Sequence, residues 1–204
     1  MRIRTLLGFC LCVAAGSAMA DMDYQGFHVD EQLLGSEQQS AFASADAPSV
    51  SRQFDIVDGV GLPPDVLSFL KSVKIVVDPA LRGNPGVFSV ESGQGMVRIQ
   101  PIVFEADKPI LLHELLHAYH YAVLSLKNPA IRSAYALAKD GNVYPAAYQR
   151  AHFLENEKEF FAVTGTIYLY KNIHQPPFNC TLISSSDPAY LAFLEHTFGK
   201  HECS

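Results

Sequence analysis

The sequence has no tryptophan, only four cysteines among 204 residues, and no run of consecutive lysines or arginines. Its formal net charge is −6, and its 15 basic residues are scattered along the chain. A protein that binds nucleic acid through the phosphate backbone needs a concentrated basic surface, so this composition argues against that class of partner. Hydrophobic residues make up 49% of the chain, which is enough to form the core of one globular domain.

A long apolar run lies within the first twenty residues. Residues 1–20 begin with the basic sequence MRIR, continue with TLLGFCLCVAAG and end in the small-x-small pattern of SAMA. This is the organisation of a secretory signal peptide, and we predict cleavage between Ala20 and Asp21. The run is shorter than the roughly 20 apolar residues that cross a bilayer, so we expect no stable membrane insertion after cleavage. The sequence therefore predicts a secreted or periplasmic protein, with an uncleaved membrane anchor as the alternative.

Cleavage of that signal would remove Cys10 and Cys12 and leave Cys180 and Cys203. Two cysteines in an exported chain most simply form one disulfide, which we predict here, with two free thiols as the alternative. The bond would close a loop of about two dozen residues and stabilise the fold by about 3 kcal/mol.

The chain divides into three regions by composition. After the signal, residues 21–53 are polar and have no sustained hydrophobic period, so they are a disordered arm, a pro-segment or a strap over the domain surface. The pattern does not choose between these three. From Phe54 onward the patterning is that of a folded domain, and we assign residues 54–204 to it.

Within that domain, strand patterns precede helical patterns. A helix at 63–73 is followed by a strand at 74–78 and a hairpin over 86–100. Further helices are predicted at 108–126, 128–139, 155–171 and 187–198. Because the strands come first and the helices afterwards, the order predicts an α+β fold with a small N-terminal β-sheet and a mostly helical C-terminal half.

The motif HELLH, residues 113–117, matches the pattern H-E-x-x-H. Residues four apart on a helix differ by about 40° in direction, so His113 and His117 can direct ring nitrogens at one ion. Neutral imidazoles are good zinc ligands, and the intervening Glu114 can reach a water on the metal as a general base.

A catalytic zinc ion needs three protein ligands and an open fourth position. The extended motif H-E-x-x-H-x-x-G-x-x-H is absent, because His120 stands in place of its glycine and Val123 in place of its third histidine. A second helix must therefore supply the ligand. The stretch ENEKEFFAVTG, residues 155–165, carries three acidic residues among mostly apolar neighbours, and buried acidic groups require a partner such as a cation.

HELLH followed by NEKEFFA resembles the zinc site of the lethal-factor-like metallopeptidases, a group named after the catalytic domain of anthrax lethal factor. In that group the zinc-binding glutamate directly precedes Phe-Phe-Ala in an N-E-x-E-F-F-A setting, which this sequence matches over residues 156–162. The resemblance implies a zincin-like fold of the gluzincin type, with the H-E-x-x-H helix beneath the sheet and one zinc ion (Zn²⁺). It also implies that Glu159 is the third ligand, with Glu155 as the alternative.

The sequence departs from that family at one position. The family has a tyrosine seven residues before the ligand glutamate, where its hydroxyl helps to stabilise the tetrahedral intermediate, and this chain has His152 there. A histidine N–H can also donate to a developing oxyanion. Tyr148, seven residues before Glu155, is the alternative, so His152 and Tyr148 are both candidates for this catalytic role.

These features predict an exported zinc-dependent endopeptidase that hydrolyses peptide bonds by a zinc-activated water, with Glu114 as the general base. A protein or peptide is the predicted partner, and we expect it to pair in an extended form with residues 95–101 as an edge strand. One alternative is a cell-envelope amide hydrolase of the peptidoglycan type. The other is a non-catalytic zinc-containing binding protein. The sequence makes no prediction about cleavage specificity or oligomeric state.

Overall fold

The structure, a computed structural model, describes residues 21–33, 50–141, 143–171, 173 and 175–203. The predicted signal peptide, residues 1–20, lies outside the described residues, as do residues 34–49 of the predicted arm. None of the helices in the described ranges combines the length and apolar character that crossing a bilayer requires.

Five strands form one mixed sheet in the order β1-β2-β3-β5-β4. They are β1 (Asp21–Tyr24), β2 (Phe27–Asp30), β3 (Lys74–Val77), β4 (Gly86–Glu91) and β5 (Gln94–Ile99). The pairs β1–β2 and β4–β5 are antiparallel, whereas β3 runs parallel to both of its neighbours, β2 and β5. In the described part of the chain, β4 is therefore an edge strand and β5 lies in the interior of the sheet.

The prediction that residues 95–101 form the edge strand is wrong. Val97 of β5 is opposite Ile75 of β3 on one side and opposite Phe88 of β4 on the other. The hairpin itself is confirmed, because its turn residues and alternating pattern are local signals. Which of its two strands meets the rest of the sheet depends on β3, and a local pattern carries no information about that long-range pairing.

Residues 21–33 of the predicted arm contribute to the sheet and to its core. Phe27 and Val29 on β2 are fully buried. Asp30 at the end of this strand forms an ion pair with Lys74 of β3, with Nζ and Oδ2 2.9 Å apart. The described part of the segment is thus integrated with the domain through both apolar packing and strand pairing.

The helices of the described residues follow the predicted order, with two additions. They are α1 (Val50–Gly59), α2 (Pro64–Ser72), α3 (Ile110–Tyr119), α4 (Pro129–Asp140), α5 (Glu157–Tyr170), α6 (Cys180–Ser186) and α7 (Pro188–Phe198). The two not predicted are α1, which begins within the supposed arm, and α6, whose sequence CTLISSS has low intrinsic helix propensity. The fold is α+β, with a small N-terminal sheet and a mostly helical remainder, as predicted.

The helix α3 lies at the centre of the molecule. It contacts β4 and β5 of the sheet as well as α1, α2 and α5. Its four leucines, at positions 111, 112, 115 and 116, are fully buried. A helix that is apolar on almost every side must direct its few polar side chains towards the remaining open side. On α3 those polar residues belong to the HELLH motif.

A buried glutamine from α1 holds the start of α3. Pro109, which precedes α3, provides no side-chain cap, so the first backbone N–H groups of the helix need partners from elsewhere. Gln53 supplies one: the Leu111 N–H donates to its Oε1 at 3.0 Å, and its Nε2 donates to the Lys108 carbonyl at 3.0 Å. Only 1% of Gln53 is exposed, so this contact fixes the end of α3 relative to α1.

The predicted disulfide between Cys180 and Cys203 is confirmed. It joins the first residue of α6 to the C-terminal segment that follows α7, across a sequence separation of 23. The bond ties the last part of the described chain to the helical half of the domain.

Candidate metal centre

Two histidines of α3 form one half of the centre. His113 and His117 lie one turn apart, with their Nε2 atoms separated by 3.1 Å. Their rings are almost perpendicular, with an interplanar angle of 89° and centroids 4.7 Å apart. The two nitrogens therefore converge on one point, as the i, i+4 spacing predicts.

The other half comes from the first turn of α5. Asn156 caps this helix, because its side-chain oxygen accepts hydrogen bonds from the N–H groups of Lys158 and Glu159 at 3.0 and 3.1 Å. The cap sets where the helix begins and so directs Glu159 towards α3. The Oε2 atom of Glu159 lies 3.3 Å from the Nε2 atom of His113 and 3.3 Å from that of His117.

These three donor atoms fit a single zinc ion. Among the described residues, His113, His117 and Glu159 form a group whose donor atoms are all mutually close, with separations of 3.1 to 3.3 Å. Tetrahedral coordination with bonds of about 2.0–2.1 Å places neighbouring ligand atoms about 3.3–3.4 Å apart. Two imidazoles and one carboxylate are also the donor set of catalytic zinc sites that keep an open position.

The charge of Glu159 supports a cation at this point. Burial by itself raises the pKa of this carboxyl. The imidazoles of His113, His117 and His152 lower it by a larger amount, so the pKa lies well below the usual range. Glu159 is therefore an anion at any physiological pH, with only 20% of its side chain exposed. A largely buried carboxylate of this kind needs a compensating positive charge.

Glu114 lies on the same helix and faces the sheet. It is only 8% exposed, and its Oε2 accepts a hydrogen bond from the Phe88 N–H of β4 at 2.8 Å. Burial raises its pKa, an effect that the neighbouring His113 and the Phe88 amide reduce without reversing. A carboxyl group with a raised pKa takes up a proton more readily, which suits a general base.

His152 lies beside the three donor atoms without joining them. It belongs to a short 3-10 turn, His152–Leu154, just before α5. Its Nε2 is 2.9 Å from Glu159 Oε2, and its Nδ1 is 3.1 Å from Glu155 Oε1. The contact with Glu159 raises the pKa of His152 to about 9, against the opposing effect of burial and with a further contribution from Glu155. The ring is therefore protonated near neutral pH and can donate from Nε2.

The remaining candidates lie away from the centre. The Tyr148 ring packs against Phe178, with centroids 5.8 Å apart, and Tyr148 does not line the cleft. Glu155 is 58% exposed and contacts His152 rather than the histidines of α3. His120 is 1% exposed and packs against the ring of Phe161 at a centroid distance of 5.0 Å. Of the two residues considered for the oxyanion role, the structure places only His152 at the site.

The three metal-donor residues line a cleft with a volume of about 270 Å³. One part of its lining is the beginning of β4, residues 86–88, and another is the approach to α3, residues 107–110. Thr166 of α5 and Ile173 after it also line the cleft. These residues were not predictable from the sequence, because they carry no motif and meet only through the packing of β4, α3 and α5.

Comparisons with known proteins do not assign a family. Neither protein-family models nor curated proteins give a match. Among solved structures, the chain is similar to the Pro-Pro endopeptidase PPEP-2 from Paenibacillus alvei, with a TM-score of 0.47 and 17% sequence identity over 83% of this chain and 97% of that chain. A likeness this distant identifies neither the fold nor the activity. The resemblance to lethal-factor-like metallopeptidases therefore rests on the HELLH and NEKEFFA motifs.

Proposed function

We propose that this chain is an exported zinc-dependent endopeptidase with a zincin-like fold. The observation that carries the proposal is the convergence of His113, His117 and Glu159, whose donor atoms lie 3.1 to 3.3 Å apart. Glu114, on the same helix as the two histidines, supplies a buried carboxylate in the same cleft. A purely structural metal site has no need of such a base, so its presence favours catalysis.

Export is supported by two features of the chain. Residues 1–20 have the organisation of a signal peptide. The disulfide between Cys180 and Cys203 is of the kind that persists in oxidising compartments outside the cytosol. Both features favour a secreted or periplasmic location.

The proposed chemistry divides among four side chains and the metal. His113, His117 and Glu159 would hold the zinc ion, which would supply Lewis-acid chemistry for the scissile carbonyl and the attacking water. Glu114 accepts a proton from the attacking water and delivers it to the amide nitrogen as that nitrogen leaves as an amine. The C–N bond of the peptide breaks and the water oxygen ends in the new carboxylate. The second proton of the water passes from the new carboxyl group to the released amine, which becomes an ammonium group.

His152 has the position to assist at the carbonyl oxygen. Its Nε2 lies 2.9 Å from Glu159 Oε2, so its ring faces the three donor atoms. An imidazole N–H at this point stabilises negative charge that develops on a carbonyl oxygen during attack. In this proposal His152 takes the role that a tyrosine has in the lethal-factor-like metallopeptidases, whose zinc-site motifs this sequence resembles.

The test is cleavage of a proteome-derived peptide library by zinc-loaded protein lacking residues 1–20, with products identified by mass spectrometry. Glu114→Gln is the matched control, because glutamine has the same shape and can still accept a hydrogen bond but cannot take up the proton. We expect cuts with the unmodified protein and none with the variant. Equal cutting by both would contradict the role of Glu114. Cleavage of peptidoglycan fragments but of no peptide would favour the envelope hydrolase instead.

A further inference from the structure

The edge strand β4 presents alternate backbone groups to its open side. The Gln100 N–H donates to the Pro85 carbonyl at 2.9 Å, and the register continues with Val87 opposite Arg98. In an antiparallel pair, hydrogen-bonded and non-hydrogen-bonded positions alternate. The backbone groups of residues 87 and 89 therefore face β5, whereas those of residues 86, 88 and 90 face the open edge.

One of these outward-facing N–H groups is already used. The Phe88 N–H donates to Oε2 of Glu114 at 2.8 Å, across a sequence separation of 26. A hydrogen bond from a backbone amide to a carboxylate is among the stronger kinds in proteins. The edge of the sheet thus contacts the proposed general base directly, through a donor that every non-proline residue carries.

Gly86 makes this contact possible. A Cβ atom at this position would lie 2.5 Å from Ile110 Cγ2 and 3.0 Å from Glu114 Cγ, both on α3. A larger residue there would require the side chains of Ile110 and Glu114, or the strand itself, to shift. A glycine within a strand often marks such a close approach of the backbone to another element. Here it lets β4 lie directly against the turn of α3 that carries Glu114.

We propose that the Phe88 N–H is a positioning group for Glu114, and that Gly86 is the residue that allows it to act. This inference rests on the proposed function of Glu114 as the base. The last torsion of a glutamate side chain is soft, so a carboxylate without a fixed partner samples many orientations. Bonding one oxygen to Phe88 restricts that rotation and holds the second oxygen, Oε1, in a constant direction. Proton transfer from a water requires such a constant orientation.

The first test needs no enzyme activity. Amide hydrogen exchange, followed residue by residue by NMR on the zinc-loaded protein, should show the Phe88 amide exchanging more slowly than the outward-facing amides of Gly86 and Val90. In Glu114→Ala the Phe88 amide should exchange roughly tenfold faster, because its acceptor is gone. Glu114→Gln should retain the protection, since its side-chain oxygen still accepts. An unchanged Phe88 exchange rate in Glu114→Ala would overturn the proposal.

The second test compares two substitutions at the same position. Phe88→Ala removes the ring and keeps the N–H, whereas Phe88→Pro removes both. Proline lacks the outward N–H, and its ring would displace Glu114 Oε2 from its position 2.8 Å from the Phe88 nitrogen, so this substitution breaks the contact completely. We expect Phe88→Pro to have a kcat roughly 10- to 100-fold below that of Phe88→Ala, with similar KM and equal zinc content. Equal kcat values in the two folded variants would refute the positioning role.

The outcomes distinguish a failure of the proposed peptidase function from a failure of the positioning role of Phe88. If the unmodified protein cuts no peptide, the proposed function fails, and the exchange measurement still decides whether Phe88 holds Glu114. If the protein is active but the proline and alanine variants do not differ, the positioning role fails and the peptidase assignment stands. Should Phe88→Pro not fold, the exchange comparison on Glu114→Ala and Glu114→Gln remains decisive.

Discussion

Replacing Gln53 by methionine should destabilise the protein through α3, which is more than fifty residues away in sequence. Methionine has nearly the same length and volume as glutamine, so the change leaves packing intact and removes hydrogen bonding. In the native structure the side chain bridges α1 to the start of α3, accepting from the Leu111 N–H and donating to the Lys108 carbonyl, each at 3.0 Å. Both Gln53 and Leu111 are almost completely buried.

The expected magnitude follows from which groups lose their partner. The Lys108 carbonyl keeps a second hydrogen bond, from the Ile110 N–H at 2.9 Å, so the substitution does not leave this carbonyl without a hydrogen-bond donor. The Leu111 N–H has no such substitute among the contacts of the described chain, and leaving a buried donor unsatisfied costs about 1–3 kcal/mol. We therefore expect a total loss of about 2–3 kcal/mol. For a domain of this size the melting temperature would fall by roughly 5–10 °C.

The assay is urea unfolding of the disulfide-intact protein, followed by circular dichroism. The control is Gln94→Met, the same change at an exposed glutamine of the β4–β5 hairpin. We expect this control to lie within about 0.5 kcal/mol of the unmodified protein. If Gln53→Met were no less stable than Gln94→Met, Gln53 would not be holding α3 in place. The supposed arm would then make no contribution at this contact.

Other predictions concern the metal, the pH and the disulfide. Glu159→Ala should lose bound zinc, measured by elemental analysis of the folded protein, while the matched variant Glu155→Ala should keep it. Burial lowers the pKa of His120 from 6.5 to about 4, so the unfolded chain takes up a proton that the folded chain refuses in this range. The free energy of unfolding should therefore fall by about 3 kcal/mol as the pH drops from 6.5 to 4, and His120→Leu should abolish that part of the decrease in urea titrations. Replacing Cys180 and Cys203 together by serine should cost about 3 kcal/mol of stability in the same assay, and no change would mean that the cross-link does not constrain the unfolded chain.

The helical half of the fold was predictable because its signals are local. The helices carrying the HELLH and NEKEFFA motifs have apolar residues at helical spacing and few breakers, and both occur close to their predicted positions. The two strands before residue 33 were not predictable in the same way. β1 and β2 have four residues each, and their stability comes from pairing with each other and with β3 rather than from their own pattern.

The choice of ligand among the acidic residues of the second motif also depended on the folded structure. The sequence offered Glu155, Glu157 and Glu159, and only the resemblance to a known motif favoured the last. In the structure the choice follows from the helix cap at Asn156, which places Glu159 in the first turn of α5 and facing α3. Glu155 precedes the cap and is directed outward to His152 instead.

By itself, the sequence determined the type of chemistry that this protein can support. The i, i+4 histidines, the intervening glutamate and a later acidic helix are local patterns, and a helix converts their spacing directly into geometry. Only the tertiary structure decided how the site is held. Gln53 holds the start of α3, β4 rather than β5 borders the cleft, and the backbone N–H of Phe88 holds Glu114. These contacts join residues far apart in the chain. The contacts of Gln53 and of Glu114 both use backbone groups, which almost every residue type provides and which therefore have no sequence signature.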